Sequence, residues 1–152
     1  MRAAAAAAAP LALLLLACLA TATAAEAAAC DVEFRLVDFG QLDFRRGGRI
    51  TGRVVVACDR PTAFTLALTP GHGDYAERRM RGPKGAELRY NLYVDPGHRH
   101  VWGDGVSGGT AVIRGETDGG RPTTITVHGR VPGGQRVPPG AYADNLAVSL
   151  TF

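Results

Sequence analysis

What most narrows the fold of this chain is a period. Between Cys30 and Phe152 the apolar residues recur at every second position in short runs, and no helical spacing persists over a useful length. Val32, Phe34 and Leu36 alternate with Glu33 and Arg35. Phe64, Leu66 and Leu68 alternate with Thr65, Ala67 and Thr69. Leu88, Tyr90, Leu92 and Val94 alternate with Arg89, Asn91 and Tyr93. Arg53–Cys58 is a β-branched run, Val112 and Ile113 form a short one, and Thr123–Val131 alternates around Ile125 and Val127. Phe39 to Phe44 reads as a bend followed by another extended piece. Turn residues separate these runs: the chain carries 20 Gly and 9 Pro, and Pro70–Gly73, Asp95–Gly97, Thr117–Gly120 and Pro132–Gly134 suit tight turns. Six to eight short strands at this spacing specify an all-β sandwich.

The last run, Leu146, Val148, Leu150 and Phe152 alternating with Ala147, Ser149 and Thr151, follows a turn at Gly140. It has no hairpin partner after it. An apolar strand with an unpaired edge invites association. That edge must be covered by an earlier strand or by another polypeptide.

The first residues read as a secretory signal. Arg2 is followed by an Ala-rich stretch, the apolar run Leu11–Leu16, and the small-residue sites Ala22-Thr23-Ala24 and Ala25-Glu26-Ala27. An uncleaved membrane anchor fits less well because the strongly apolar run is short and lacks a charged stop. Leu15-Leu16-Ala17-Cys18 is a weak lipidation motif. The expected organisation is a signal peptide over 1–25, cut between about 20 and 29, and one β domain over 26–152. Cleavage reduces the cysteines from three to two. Cys30 and Cys58, in an oxidising compartment, are expected to form a disulfide; two buried thiols are the alternative, and no nearby His completes a metal site.

Seventeen Lys and Arg against fourteen Asp and Glu give a net charge of +3. The arginines, Arg35, Arg45, Arg46, Arg53, Arg78, Arg79 and Arg81 among them, are scattered and read as solvated. No basic run with interleaved aromatics suggests nucleic acid. His98 and His100 form a His-x-His pair beside Asp95 and Asp104, but in a turn, so they read as solvated loop residues. His72 and His128 also read as surface residues. Gly105-Val106-Ser107-Gly108-Gly109 matches Gly-x-Ser-x-Gly without the strand and helix that a nucleophile needs on either side. No catalytic residue, metal site, cofactor or small-molecule substrate is expected, and the chain does not read as an enzyme.

Taken in order, Cys30, Phe39-Gly40, Val54–Cys58, Arg79-Met80, Leu88–Tyr93 with Tyr90 and Leu92-Tyr93, Val101–Gly105 and Pro139–Asp144 resemble the spore coat protein U family. That family includes subunits of archaic chaperone–usher pili of the Csu type. The resemblance implies an immunoglobulin-like β-sandwich that lacks one strand and is completed by a donor strand from another chain. It implies a periplasmic chaperone, an outer-membrane usher and other pilus subunits as partners, surface location after transit of the periplasm, and roles in adhesion and biofilm formation. The alternative is a secreted spore-coat or matrix protein of the same fold that self-associates without a fibre. In this reading Leu146, Val148, Leu150 and Phe152 line the donor-strand groove. Tyr142 anchors a corner through its hydroxyl, Trp102 covers one end of the core, Phe39, Gly40 and Tyr90 are structural, and Gly103, Gly105 and Gly140 permit turns.

Shaft subunits of the family carry a donor segment before the first cysteine. Here Ala25–Ala29 offers only small side chains, which stabilise little on burial. Val32, Phe34 and Leu36 alternate but follow Cys30, where the bridge would hold them in this domain. The expectation is a subunit that accepts a strand and does not donate one, at a fibre tip or in a capping role. Intact mass with and without reductant checks the maturation: the secreted chain should begin between about residues 20 and 29 and alkylate at neither Cys30 nor Cys58 until reduced.

Overall fold

The computed structural model describes residues 26–35 and 38–152. The signal segment with Cys18, and Leu36 of the first alternating run, lie outside the described residues. Nine strands form among them: β1 (Cys30–Arg35), β2 (Gly48–Cys58), β3 (Pro61–Leu68), β4 (His72–Gly73), β5 (Arg78–Arg81), β6 (Glu87–Tyr93), β7 (Ile113–Asp118), β8 (Thr123–Val131) and β9 (Val148–Thr151). Two short 3-10 turns, Pro83–Gly85 and Ser107–Gly109, are the only helical pieces among the described residues.

The strands make two antiparallel sheets. One has the order β1-β2-β8-β6-β5-β4 and the other the order β7-β3-β9. Each alternating run turns its apolar phase inward, as a half-buried strand must. Val54 and Val56 of β2, Leu88, Tyr90 and Leu92 of β6, and Val127 and Val131 of β8 come from the larger sheet. Phe64, Leu66 and Leu68 of β3 and Ile113 of β7 come from the smaller, and all are buried. This is the two-layer all-β architecture that the period-2 runs call for.

Two expectations need correction. The extended piece at 39–44 is a loop that turns at Phe44–Arg46, where Arg46 and Gly47 both donate to the Asp43 carbonyl. The short run Val112-Ile113 leads into a six-residue strand, β7, which begins at Ile113. Its polar sequence hides it, because one inward position is Gly115. A Cβ there would lie 2.5 Å from the Phe64 ring, so the strand keeps its inner face by omitting a side chain. β4 and β5 are also strands that the apolar pattern does not mark.

Cys30 and Cys58 are bonded. They face each other at the end of the β1–β2 ladder, so the bridge fastens β1 to its own sheet. In the chain-entropy picture, closing 28 residues stabilises by about 3–4 kcal/mol. The Cys30→Ala, Cys58→Ala double variant should lose about that much in urea denaturation; a loss near zero would contradict the role given to the bridge.

Candidate functional site

The sheets end in strands that lack a second partner. β9 pairs with β3 along Thr65–Leu68, with Leu150 opposite Leu66 and Val148 opposite Leu68. Its other edge meets no strand among the described residues. β1, at the end of the larger sheet, pairs with β2 alone.

The side chains at these two edges are incompletely covered. Leu66 is 0% exposed, yet Leu150 directly across the ladder is only half-buried, as are Leu146 and Val148. On β1, Val32 is half-buried and Phe34 is 43% exposed; at the other end of the chain Phe152 is 56% exposed. Apolar surface left in water costs about 25 cal/mol per Å2. An edge strand also presents free N–H and C=O groups. The site can therefore bond an extended backbone and bury alternate side chains from it. The groove residues expected from the sequence, Leu146, Val148, Leu150 and Phe152, all lie along this edge, with Phe152 the least covered. Val32 and Phe34 lie in β1, paired with β2 and fastened by the Cys30–Cys58 bridge, as the domain's own first strand.

A buried polar network holds the edge in place. Arg78 is 0% exposed. Its guanidinium donates to Asn91 Oδ1 (2.6 Å), the Thr69 carbonyl (2.9 Å) and the Trp102 carbonyl (2.7 Å), and lies over the Tyr75 ring. Trp102 Nε1 donates to the Leu66 carbonyl and Tyr75 Oη to the Leu68 carbonyl. The end of β3, on which β9 rests, is thus held by Trp102, Tyr75 and Arg78 together. Burial pushes the Arg78 guanidinium down from its usual range, while the phenols of Tyr90 and Tyr75 and the Asp144 carboxylate oppose the shift.

Asp144 is the matching group on the approach to β9, with its side chain 3% exposed. It accepts from Tyr90 Oη (2.5 Å), the backbone N–H groups of His72 and Asn145, and lies 2.9 Å from His72 Nδ1. Burial first, then this bond to Asp144, pushes the Tyr90 hydroxyl far above its ordinary range. The chain crosses between sheets here. Ala143 exchanges two backbone bonds with Arg81 of β5, and Ala147 exchanges two with Thr69 after β3, one of them to Thr69 Oγ1. Two expectations are corrected: Arg78 is a core residue rather than a solvated one, and His72 is half-buried against Asp144.

The motif residues take structural positions. Tyr142 Oη donates to the Pro138 carbonyl (2.7 Å), and the ring lies edge-on to Phe44. That ring rests on Gly82, where a Cβ would come within 2.2 Å. Trp102 is 2% exposed and Tyr90 3%; Phe39 packs edge-on against Tyr90. Gly40 and Gly105 have positive φ, Gly103 lies against Thr110, and Gly140 against Pro83. Ser107 donates to Asp104 Oδ2 within a turn. His98 stacks edge-on with Tyr93 and approaches His128, while His100 is 3.2 Å from Asp95. His98 and His128 are half-buried rather than solvated. No group of three or more His, Cys, Asp or Glu that could hold a metal occurs among the described residues.

The described residues form an antiparallel sandwich whose last strand keeps one open edge. The chain belongs to the Spore Coat Protein U domain family, whose model matches residues 16–149. It is 34% identical over 112 residues to Protein U of Myxococcus xanthus, an alignment covering 67% of this chain and 59% of that protein. A solved structure, the CsuC-CsuE chaperone–tip adhesion subunit pre-assembly complex of archaic chaperone–usher Csu pili from Acinetobacter baumannii, matches with a TM-score of 0.60 at 16% identity. That match covers 83% of this chain and 40% of the matched one. The fold is therefore immunoglobulin-like. The E. coli Hda pilus minor tip subunit HdaB gives a TM-score of 0.41 at 16% identity, over 79% of each chain. The chain spans well under two thirds of the length of the first two proteins.

Two outcomes follow for the network. Arg78→Met removes the donor to the Thr69 and Trp102 carbonyls and one of the two donors to Asn91 Oδ1, and should cost about 3–5 kcal/mol in urea denaturation; a cost below about 1 kcal/mol would remove the network from the account. Asp104 accepts from Ser107 Oγ and from backbone N–H groups of Val106 and Ser107, which hold it well below its ordinary value of 3.8. A depressed carboxyl stabilises the fold above that value and loses its contribution as pH falls below it. Urea midpoints recorded against pH should fall less steeply on the acid side for Asp104→Ala than for the parent chain.

Proposed function

We propose that the chain is a secreted structural subunit of a chaperone–usher pilus, completed by a donor strand laid along the open edge of β9. The observation that carries this reading is Leu150: directly opposite the fully buried Leu66, it is left half-covered because nothing lies on its other side. A donor strand would supply backbone bonds to β9 and place alternate apolar side chains beside Leu146, Val148 and Leu150, which is β-strand addition. The likeness to a chaperone-bound pilus subunit and the family membership support the same reading. The partners are then a periplasmic chaperone first, an usher, and a neighbouring subunit afterwards. The chain passes through the periplasm to the cell surface and acts there in adhesion and biofilm formation. No helix of the described residues is long and apolar enough to cross a membrane.

The position within the fibre is a finer reading. β1 is bonded along its length to β2 and fastened by Cys30–Cys58, so its alternating side chains are not free to donate. This supports a tip or capping position. Immunogold label confined to fibre ends fits it, and label along the shaft overturns it.

The family's description as a spore-coat domain favours a second reading, a coat or matrix protein that self-associates through the same edge. Periplasmic purification separates the two. A pilus subunit should co-purify one to one with a chaperone, and an added peptide with alternating apolar residues should raise its Tm in proportion to the logarithm of peptide concentration. Val148→Asp or Leu150→Asp, each placing a charge beside the donor, should abolish both effects. A stable monomer that takes neither chaperone nor peptide contradicts the proposal.

A further inference from the structure

The outer face of the larger sheet carries an arrangement that the fold does not need. Arg49 of β2 stands directly opposite Arg130 of β8, and Arg53 of β2 directly opposite Arg35 of β1. Like charges facing each other across a ladder destabilise it. Arg49, Arg53 and Arg130 are exposed and make no ion pair among the described residues; Arg35 is paired with Glu33 alone. By contrast Arg79 and Arg89, which also stand opposite each other across β5 and β6, are neutralised. Arg79 and Arg89 share Glu77 and Glu87, and Arg60 has Asp59. The cost at the Arg49–Arg130 pair is not relieved by an ion pair with any carboxylate among the described residues, and at the second pair Glu33 relieves only Arg35.

The two arginine pairs are spaced for a polymer. Arg49 and Arg53 lie on the same face of one strand, four residues apart and so about 13 Å. Between them stand Thr51 and His128, again directly opposite each other, with Thr126 opposite Arg53. Arg49, Ile50, Thr51, His98 and His128 line a shallow cleft of about 400 Å3 at the first pair. His98 closes it from a left-handed backbone (φ 54°), and its Nε2 finds no hydrogen-bond partner. Burial first, then Arg49, His128 and Arg130, hold the His98 imidazole below its usual range; no carboxylate is among these influences.

We infer that this face binds an acidic polysaccharide, each arginine pair taking a carboxylate or sulfate from charged sugars about 13 Å apart along the polymer. Guanidinium groups match such anions with paired N–H donors, and the threonine hydroxyls between them suit sugar hydroxyls. The chemistry of the face favours this polymer over two others. The exposed large apolar side chains of the described residues are Phe34, Val106 and Phe152, none on this face. A protein partner would lack an apolar anchor, and a nucleic acid would lack an exposed aromatic on which to stack a base. The face belongs to the sheet that does not contain β9, so its occupancy is independent of strand addition.

The test is binding of the secreted chain to labelled polygalacturonate, dextran sulfate, uncharged dextran and single-stranded DNA at several salt concentrations. Polygalacturonate or dextran sulfate should bind with an affinity that falls steeply with salt, and uncharged dextran should not bind. The Arg49→Gln, Arg130→Gln double variant should lose about tenfold or more. The Arg79→Gln, Arg89→Gln variant, with the same loss of charge, should stay within about twofold, since non-specific attraction alone would weaken both alike. Relief of the opposed charges should leave the Tm of the first variant unchanged or raised, which separates lost binding from lost fold. Equal loss in both variants, no binding to either acidic polymer, or tighter binding to DNA than to both of them would overturn the inference.

Discussion

The rest of the structure depends on one strand having one neighbour. β9 rests on β3 and has a free edge beyond it. Backbone donors and acceptors want partners, and apolar side chains want cover. With β1 at the end of the other sheet and fastened by its disulfide to β2, the chain brings none of its described strands to that edge. The half-covered side chains along β9 and β1 are the consequence. On the proposed reading, a sandwich left open in this way gains stability from a strand supplied from outside.

An open edge can serve only if it is held in shape while unoccupied. The apolar core does this poorly at its margin, because cover is what is missing there. Instead the chain spends polar groups on the inner side of the edge. Arg78 and Tyr75 hold the carbonyls at the end of β3, and Asp144 ties the approach to β9 to Tyr90 and His72. A buried charge is expensive unless its bonds are met. Arg78 meets that condition at its two terminal nitrogens through a side-chain amide and two carbonyls rather than through a contacting carboxylate, while its Nε has no hydrogen-bond partner among the described residues. Its direction is set by Asn91, itself held by the Tyr75 carbonyl. These bonds give β3 and the segment after Ala143 a single arrangement.

The sheets were legible where side chains alternate. β3, β6, β8 and the end of β2 announce themselves because each contributes apolar residues to one face. β5 and β7 do not. In β5 the inward position is an arginine, and in β7 a glycine makes room for Phe64; hydropathy is blind to both. The edge itself was legible in part. A final strand with no sequence-adjacent partner marks it, and Leu146, Val148, Leu150 and Phe152 carry the period. The buried network was not, because a guanidinium reads as solvent-facing until the acceptors converging on it from Thr69, Asn91 and Trp102 are known. Likewise His72, between two glycines, gains its burial only from Asp144, 72 positions away. The opposed arginines of the outer face depend on register, which scattered charges in a sequence do not reveal.

The central claim is that the free edge of β9 is a strand acceptor, and hydrogen exchange reads it directly. Amides of residues 146–152 should exchange fast in the isolated chain while those of β2 and β8 remain protected. On adding a peptide of alternating apolar residues, exchange over 146–152 should slow, with no change on the outer face of the larger sheet. Full protection of 146–152 in the isolated chain, unaltered by peptide, would contradict the account.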